Sequence, residues 1–172
     1  MKHLPEHPGL TRRRFLAVAG TALVAPTLIP ASALGADGRA APSERITLGS
    51  VGWGMQGPGN TEQFLAAPDC QVVAVCDLDQ HHLEQAVNRI NTHYGNRDCQ
   101  AYHDYHQLMA RTDIDALMLA VPDHWHALVG VEACRQKKDV YGEKPLARTI
   151  AEQQAIVHAV RKHDRIWQMG SW

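Results

Sequence analysis

Charge of one sign is missing from this sequence: 17 basic against 18 acidic residues leave a formal net charge of -1. That balance argues against a nucleic-acid groove and against an anionic membrane surface as partner. No C-x-x-C pair occurs, and four cysteines (Cys70, Cys76, Cys99 and Cys134) among 172 residues are too sparse for a disulfide scaffold. They are expected to be mostly free thiols, with a single pairing left open. The apolar runs are short and interrupted, which argues against a stable membrane span of about 20 residues. Internal repeats and low-complexity tracts are absent as well. What is there, 45% hydrophobic and 20% charged residues, is the make-up of an ordinary soluble protein with material for one core. Eleven histidines are the unusual feature.

The first 33 residues read as a signal for export. Arg12, Arg13 and Arg14 precede Phe15 and Leu16; a run from Ala17 to Ile29, broken by Gly20 and Pro26, is closed by Pro30 and the small triplet Ala31-Ser32-Ala33. Charged, apolar and small residues thus follow in the order of a cleaved signal, the alternative being an uncleaved anchor or a core helix. T-R-R-R-F-L is similar to the twin-arginine motif, whose route carries proteins already folded. That resemblance implies the twin-arginine translocation machinery as a partner and a periplasmic or otherwise exported location. Residues 34–44, small, polar and bearing Pro and Gly, read as a linker.

From Arg45 onward, short apolar runs alternate with helical segments, which predicts an α/β domain: a doubly wound parallel sheet covered by helices on both faces. The predicted strands are 45–51, 70–76, 115–121, 139–142 and a weaker 165–169, several of them apolar on both alternating sides, as doubly covered strands are. Helical composition falls at 61–67, 79–94, 105–112, 126–138 and 149–163, and Thr149 with Glu152 forms a capping box. Right-handed crossovers bring the carboxyl ends of all strands to one edge, where a site belongs.

"VGWGMQG" supplies Gly52, Gly54 and Gly57, with Trp53, Met55 and Gln56 between them, in the pattern G-x-G-x-x-G between a strand and a helix. The first glycine suits a tight turn, the second a close approach of backbone to pyrophosphate, and the third helix-to-strand packing. Pro58 in the first turn costs the helix nothing, because the amide it removes has no intrahelical partner. The next strand ends at Asp77, 25 residues beyond Gly52 (77 − 52), close to the offset of about 20 for the acid that binds a ribose 2′-hydroxyl. A carboxylate there repels a 2′-phosphate, so NAD is favoured over NADP.

Two further blocks complete a resemblance. "VPDHWHA" (121–127) follows one predicted strand and "GEKPLA" (142–147) the next; with the glycine fingerprint and Asp77 they make residues 45–172 resemble the Gfo/Idh/MocA oxidoreductases. The resemblance implies a Rossmann domain that binds NAD(P), a second domain with an open sheet that holds a sugar or polyol, and catalysis by Lys144 beside the nicotinamide. It also implies that Pro122, His124, Trp125, His126 and Glu143 border the cofactor, Trp125 as an apolar wall and the histidines as hydrogen-bond donors. A buried Lys144 would have its pKa lowered and could exchange a proton near neutrality. A metal is disfavoured, since His124 and His126 lack H-E-x-x-H spacing and no cluster completes a tetrahedral set. His81, His82, His103 and His106 receive no role.

Where family members continue into the substrate domain this sequence stops, which is read here as a fragment of a longer enzyme. Three functions fit: an oxidoreductase acting on a sugar-like alcohol by hydride transfer, an NAD-dependent glycosidase or lyase that oxidises its substrate transiently, and a non-catalytic cofactor-binding module. Homo-oligomerisation is compatible with each.

Overall fold

The computed structural model describes residues 40–171; the expected export signal and the expected linker as far as residue 39 lie outside them. The described part of the predicted linker includes a single 3-10 turn, Pro42–Glu44, and the Arg45 guanidinium donates back to the Ala40 carbonyl at 2.8 Å. Six strands follow among the described residues: β1 (Ile46–Val51), β2 (Cys70–Cys76), β3 (Gln100–Tyr102), β4 (Ala116–Leu119), β5 (Asp139–Gly142) and β6 (Trp167–Met169). They alternate with α1 (Gly57–Ala66), α2 (Gln80–Tyr94), α3 (Tyr105–Met109), α4 (His126–Arg135) and α5 (Ile150–His163). All strand pairs are parallel, in the order β3-β2-β1-β4-β5-β6. That is the doubly wound arrangement, whose strand order reverses between β1 and β4 and opens a crevice at their carboxyl ends.

Alternation along the strands divides the core between the two faces. Leu48, Val72, Val75 and Met118 pack with Leu65 of α1 and Leu83, Ala86 and Ile90 of α2 on one side. Val51, Ala74, Cys76, Leu117 and Leu119 pack with Leu108 of α3 and Val129 and Ala133 of α4 on the other. Ala74 and Val75 keep this phase because the β1/β2 register shifts between Leu48, opposite Val72, and Gly49, opposite Ala74. The extra residue there is a bulge, which resets which side chains point to which face.

Local chemistry fixes the helix ends. Asp79 caps α2 by accepting from the His81 and His82 amides, Asp104 caps α3 through the His106 amide, and the Thr149–Glu152 capping box opens α5. Gly95, with φ 67°, ends α2 in the left-handed conformation that glycine adopts without strain. By contrast, the N-caps of α1 and α4, Gln56 and Trp125, make no side-chain capping bond.

All four cysteines are unpaired. Burial, with the Asp77 and Asp104 carboxylates adding to it, pushes the Cys76 thiol up to about 12, so it is no nucleophile despite its place beneath the crevice. No helix among the described residues is long and apolar enough to cross a membrane.

The Trp167 indole lies against α4 and β5 at two positions that have no side chain. A Cβ at Gly130 would come within 2.6 Å of the ring, and one at Gly142 within 2.5 Å. Helix propensity alone makes Gly130→Ala stabilising by about 0.8–1.0 kcal/mol, whereas overpacking costs about 1–3 kcal/mol. The clash is with a ring held between two elements, so Gly130→Ala is expected to lower the denaturant midpoint; a raised midpoint would show that the indole moves aside freely.

Candidate functional site

A cleft of about 580 Å³ lies at the carboxyl ends of β1, β2 and β4, lined by Val51, Gly52, Gly54, Asp77, Val121 and Trp125 among others. Its floor is the glycine turn. Gly52 has φ 93°, and a Cβ there would lie 2.3 Å from the Ala120 carbonyl oxygen. A Cβ on Gly57 would lie 2.1 Å from the Gly52 carbonyl oxygen, so α1 starts in direct contact with the turn that leaves β1. Gly54 differs from both: nothing lies within 4 Å of the position its Cβ would take, and that space is cleft. The first and third glycines are thus required by packing within the chain, and the second leaves room for something else. A buried contact between Ser50 and Thr61 hydroxyls, 3.2 Å apart, further ties α1 to β1.

Asp77 stands at the tip of β2 with its side chain 13% exposed. One carboxylate oxygen accepts from the Trp53 amide at 2.7 Å and the other from the Asp79 amide at 2.9 Å. An ionised carboxylate has about four acceptor sites, so two hydroxyl donors can still be received while the backbone bonds fix its orientation. His82 Nδ1 is 3.7 Å from Asp77 Oδ2, and His103 donates from Nδ1 to the Asp77 carbonyl at 3.0 Å. Both histidines line the cleft, with Leu78, Asp79, Asp104 and Tyr105. Sequence reasoning gave His82 and His103 no role, although His103 follows directly on the carboxyl end of β3 and His82 lies in the first turn of α2, which follows β2, on the edge where the topology collects a site. For β3 that signal was hidden, because the strand itself went unrecognised.

Pro122 and Trp125 also line the cleft, and the Trp125 ring meets Tyr105 edge-on, centroids 6.3 Å apart. The other expected contacts divide. Trp53 presents its amide to Asp77 and buries its ring in the core, 5% exposed. Met55 is 97% exposed and Gln56 serves as the N-cap of α1. His124 is exposed, whereas His126 is buried, its Nε2 donating to the Val121 carbonyl at 2.9 Å. His126 therefore departs from the expected donor to a ligand: it opens α4 facing the core, and its ring holds the β4 exit loop.

Glu143 and Lys144 follow β5 on the same edge. Glu143 is buried, accepting from Asn60 Nδ2 at 2.8 Å and from the Lys144 amide at 3.1 Å. The Lys144–Pro145 peptide is cis. Lys144 is exposed, which corrects the expectation of a buried ammonium. The strand ends at Gly142, so the side chain projects past the sheet edge. The buried lysine is instead Lys138, before β5 at the opposite edge, which donates to the Arg111 and Ile114 carbonyls at 2.6 and 2.7 Å and whose pKa burial pulls down. Among the described residues no group of three or more His, Cys, Asp or Glu is placed to hold a metal ion.

The cleft fits a dinucleotide on its own geometry. A glycine beside open space and an oriented carboxylate at the neighbouring strand's tip line it, and the glycine turn leads directly into the start of α1, which has no side-chain cap. Helix N-termini favour anions through free amides and the dipole.

Comparison with known proteins agrees with this geometry. The GFO_IDH_MocA model, described as an oxidoreductase family with an NAD-binding Rossmann fold, matches residues 46–171. A curated protein of Shewanella pealeana named glycosyl hydrolase family 109 protein is 27% identical over 170 residues, covering 89% of this chain. The chain spans only 37% of that relative's length. Two solved structures share the fold at 20% identity. The scyllo-inositol dehydrogenase of Lactobacillus casei with bound NAD(H) and scyllo-inositol has a TM-score of 0.66, over 73% of this chain and 36% of that one. An oxidoreductase of Desulfitobacterium hafniense described as NADPH-dependent has a TM-score of 0.67, over 74% of this chain and 35% of that one.

The glycine geometry gives a paired expectation. Gly57→Ala should cost about 1–3 kcal/mol of stability, because backbone must shift, while Gly54→Ala should stay within about 0.5 kcal/mol of wild type. Chemical denaturation of both variants checks this; equal losses would mean that the two glycines do not differ in their surroundings.

Proposed function

The chain belongs to the Gfo/Idh/MocA oxidoreductase family, as its NAD-binding Rossmann domain, and from that premise we propose an enzyme that moves a hydride between a sugar-like or polyol alcohol and NAD. The observation that carries the proposal is the meeting, on one sheet edge, of the uncapped α1 N-terminus, the oriented Asp77 carboxylate and Lys144. The amides of α1 and the glycine turn would hold the diphosphate, and Asp77 would accept from the adenosine ribose hydroxyls. NAD, when bound, supplies the hydride acceptor. Lys144 would donate a hydrogen bond to the substrate oxygen.

Asp77 also supports NAD over NADP, since a 2′-phosphate would bring negative charge against its carboxylate.

A second reading is favoured by the curated relative named as a glycosyl hydrolase: cleavage of a glycoside with no net change in the cofactor. The two readings part in one assay on the protein that carries this domain. Hydride transfer as the overall reaction predicts that NADH accumulates with a polyol or sugar substrate; release of an aryl leaving group from a glycoside without NADH would replace it by the second reading.

We also propose export by the twin-arginine route, on the strength of Thr11 to Leu16. Arg12→Lys with Arg13→Lys is expected to leave the protein in the cytoplasmic fraction; undiminished periplasmic recovery would contradict the route. At the cofactor site, Asp77→Ala is expected to weaken NAD binding by about 1–3 kcal/mol through loss of charged hydrogen bonds, with less loss for NADP. Unchanged titration affinity for NAD would remove Asp77 from the site.

A further inference from the structure

Glu143 is a carboxylate only 6% exposed, and its main side-chain partner, Asn60, is 8% exposed. Burying such a group costs free energy unless its oxygens are bonded, and both are: Oε1 accepts from Asn60 Nδ2 at 2.8 Å, Oε2 from the Lys144 amide at 3.1 Å. The pair is closed in from a third side. A Cβ on Gly170, just after β6, would lie 2.8 Å from Glu143 Oε1 and 3.0 Å from the Tyr141 hydroxyl. The Glu143 amide donates to the Leu119 carbonyl at 2.9 Å, which pins this residue to the end of β4 as well.

Asn60 lies in the first turn of α1, its amide bonded to the carbonyl of the N-cap Gln56. One buried carboxylate thereby connects the helix turn that follows the glycine motif with the backbone of Lys144, 84 residues further along the chain (144 − 60). We propose that Asn60 and Glu143 are positioning residues that couple diphosphate binding at the α1 N-terminus to the placement of Lys144. An anion that orders the first turn of α1 also orders the Asn60 side chain, hence Glu143, hence the Lys144 amide. Two sites are coupled to the extent that one ligand biases the state of both. The coupling rests on the proposed nucleotide site and adds to it a link to the residue assigned to the substrate oxygen.

ADP-ribose is the probe for this link, because it carries the adenosine and the diphosphate but no nicotinamide that could shield Lys144 directly. Hydrogen exchange at the Lys144 amide, read by NMR on the purified chain, is expected to slow at least about 5-fold on saturation, the lower end of typical coupling between sites. Asn60→Asp sets two carboxylates against each other and should abolish that slowing while ADP-ribose still binds. Adding Glu143→Gln to Asn60→Asp should restore it, since the glutamine amide can donate to Asp at position 60 while its oxygen accepts from the Lys144 amide. Should Asn60→Asp not fold, Asn60→Ser, which shortens the donor arm without adding charge, makes the same comparison. Slowing of equal size in wild type and in the Asn60 variant overturns the coupling, as does binding with no slowing in wild type. Failure of wild type to bind ADP-ribose overturns the nucleotide reading itself and the coupling with it.

Discussion

The contact on which the site depends is the one between Gly57 and the Gly52 carbonyl. With no Cβ at Gly57, whose position would fall 2.1 Å from that oxygen, α1 can begin in touch with the turn leaving β1. Gly52 meets the matching demand from the other side, turning at φ 93° under the Ala120 carbonyl. A side chain at Gly57 would push α1 away from the sheet, and with it the free amides of the helix start, while one at Gly52 would strike the exit of β4. The open space at Gly54 exists because its two neighbours in the motif are so closely packed. Steric exclusion within the chain thus creates the concavity in which a diphosphate can sit, and the helix end supplies the electrostatic reason for it to stay.

Capping chemistry sharpens that contrast. Asp79, Asp104 and Thr149 satisfy the first amides of α2, α3 and α5 with their own side chains, as N-cap residues do. The starts of α1 and α4 have no such bond, and that of α1 follows directly on the glycine turn. Asp77 spends part of its acceptor capacity on the Trp53 and Asp79 amides, so the glycine turn and the start of α2 hold one carboxylate in place before any ligand arrives. Such prior orientation reduces the ordering that binding must otherwise impose.

Much of the fold was legible because its strands are covered on both faces and read as continuous apolar runs. The strands at 70–76 and 139–142 fall where the sequence pattern puts them, and the capping box at Thr149 opens α5 as its residues indicate. β3 went unread because it has three residues, the first two exposed, and therefore no apolar signal. β4 is shorter than the run 115–121, since Ala120 and Val121 already belong to the loop that borders the cleft. The glycines and Asp77 could be placed from spacing alone, because each answers to backbone geometry. Side-chain direction was harder. Nothing in "HWHA" tells which histidine faces the core, and the phase is set by where α4 begins, at His126. The exposure of Lys144 and the burial of Lys138 likewise depend on which end of β5 the neighbouring loops cover.

Acceptance of a dinucleotide by this cleft is the property from which the roles of Gly52, Gly57 and Asp77 follow. Isothermal titration of the purified chain with NAD, and separately with NADP, measures it directly. Saturable heat at one site per chain, with NAD the tighter ligand, is the result the geometry of Gly52, Gly57 and Asp77 calls for. No heat with either nucleotide would contradict it.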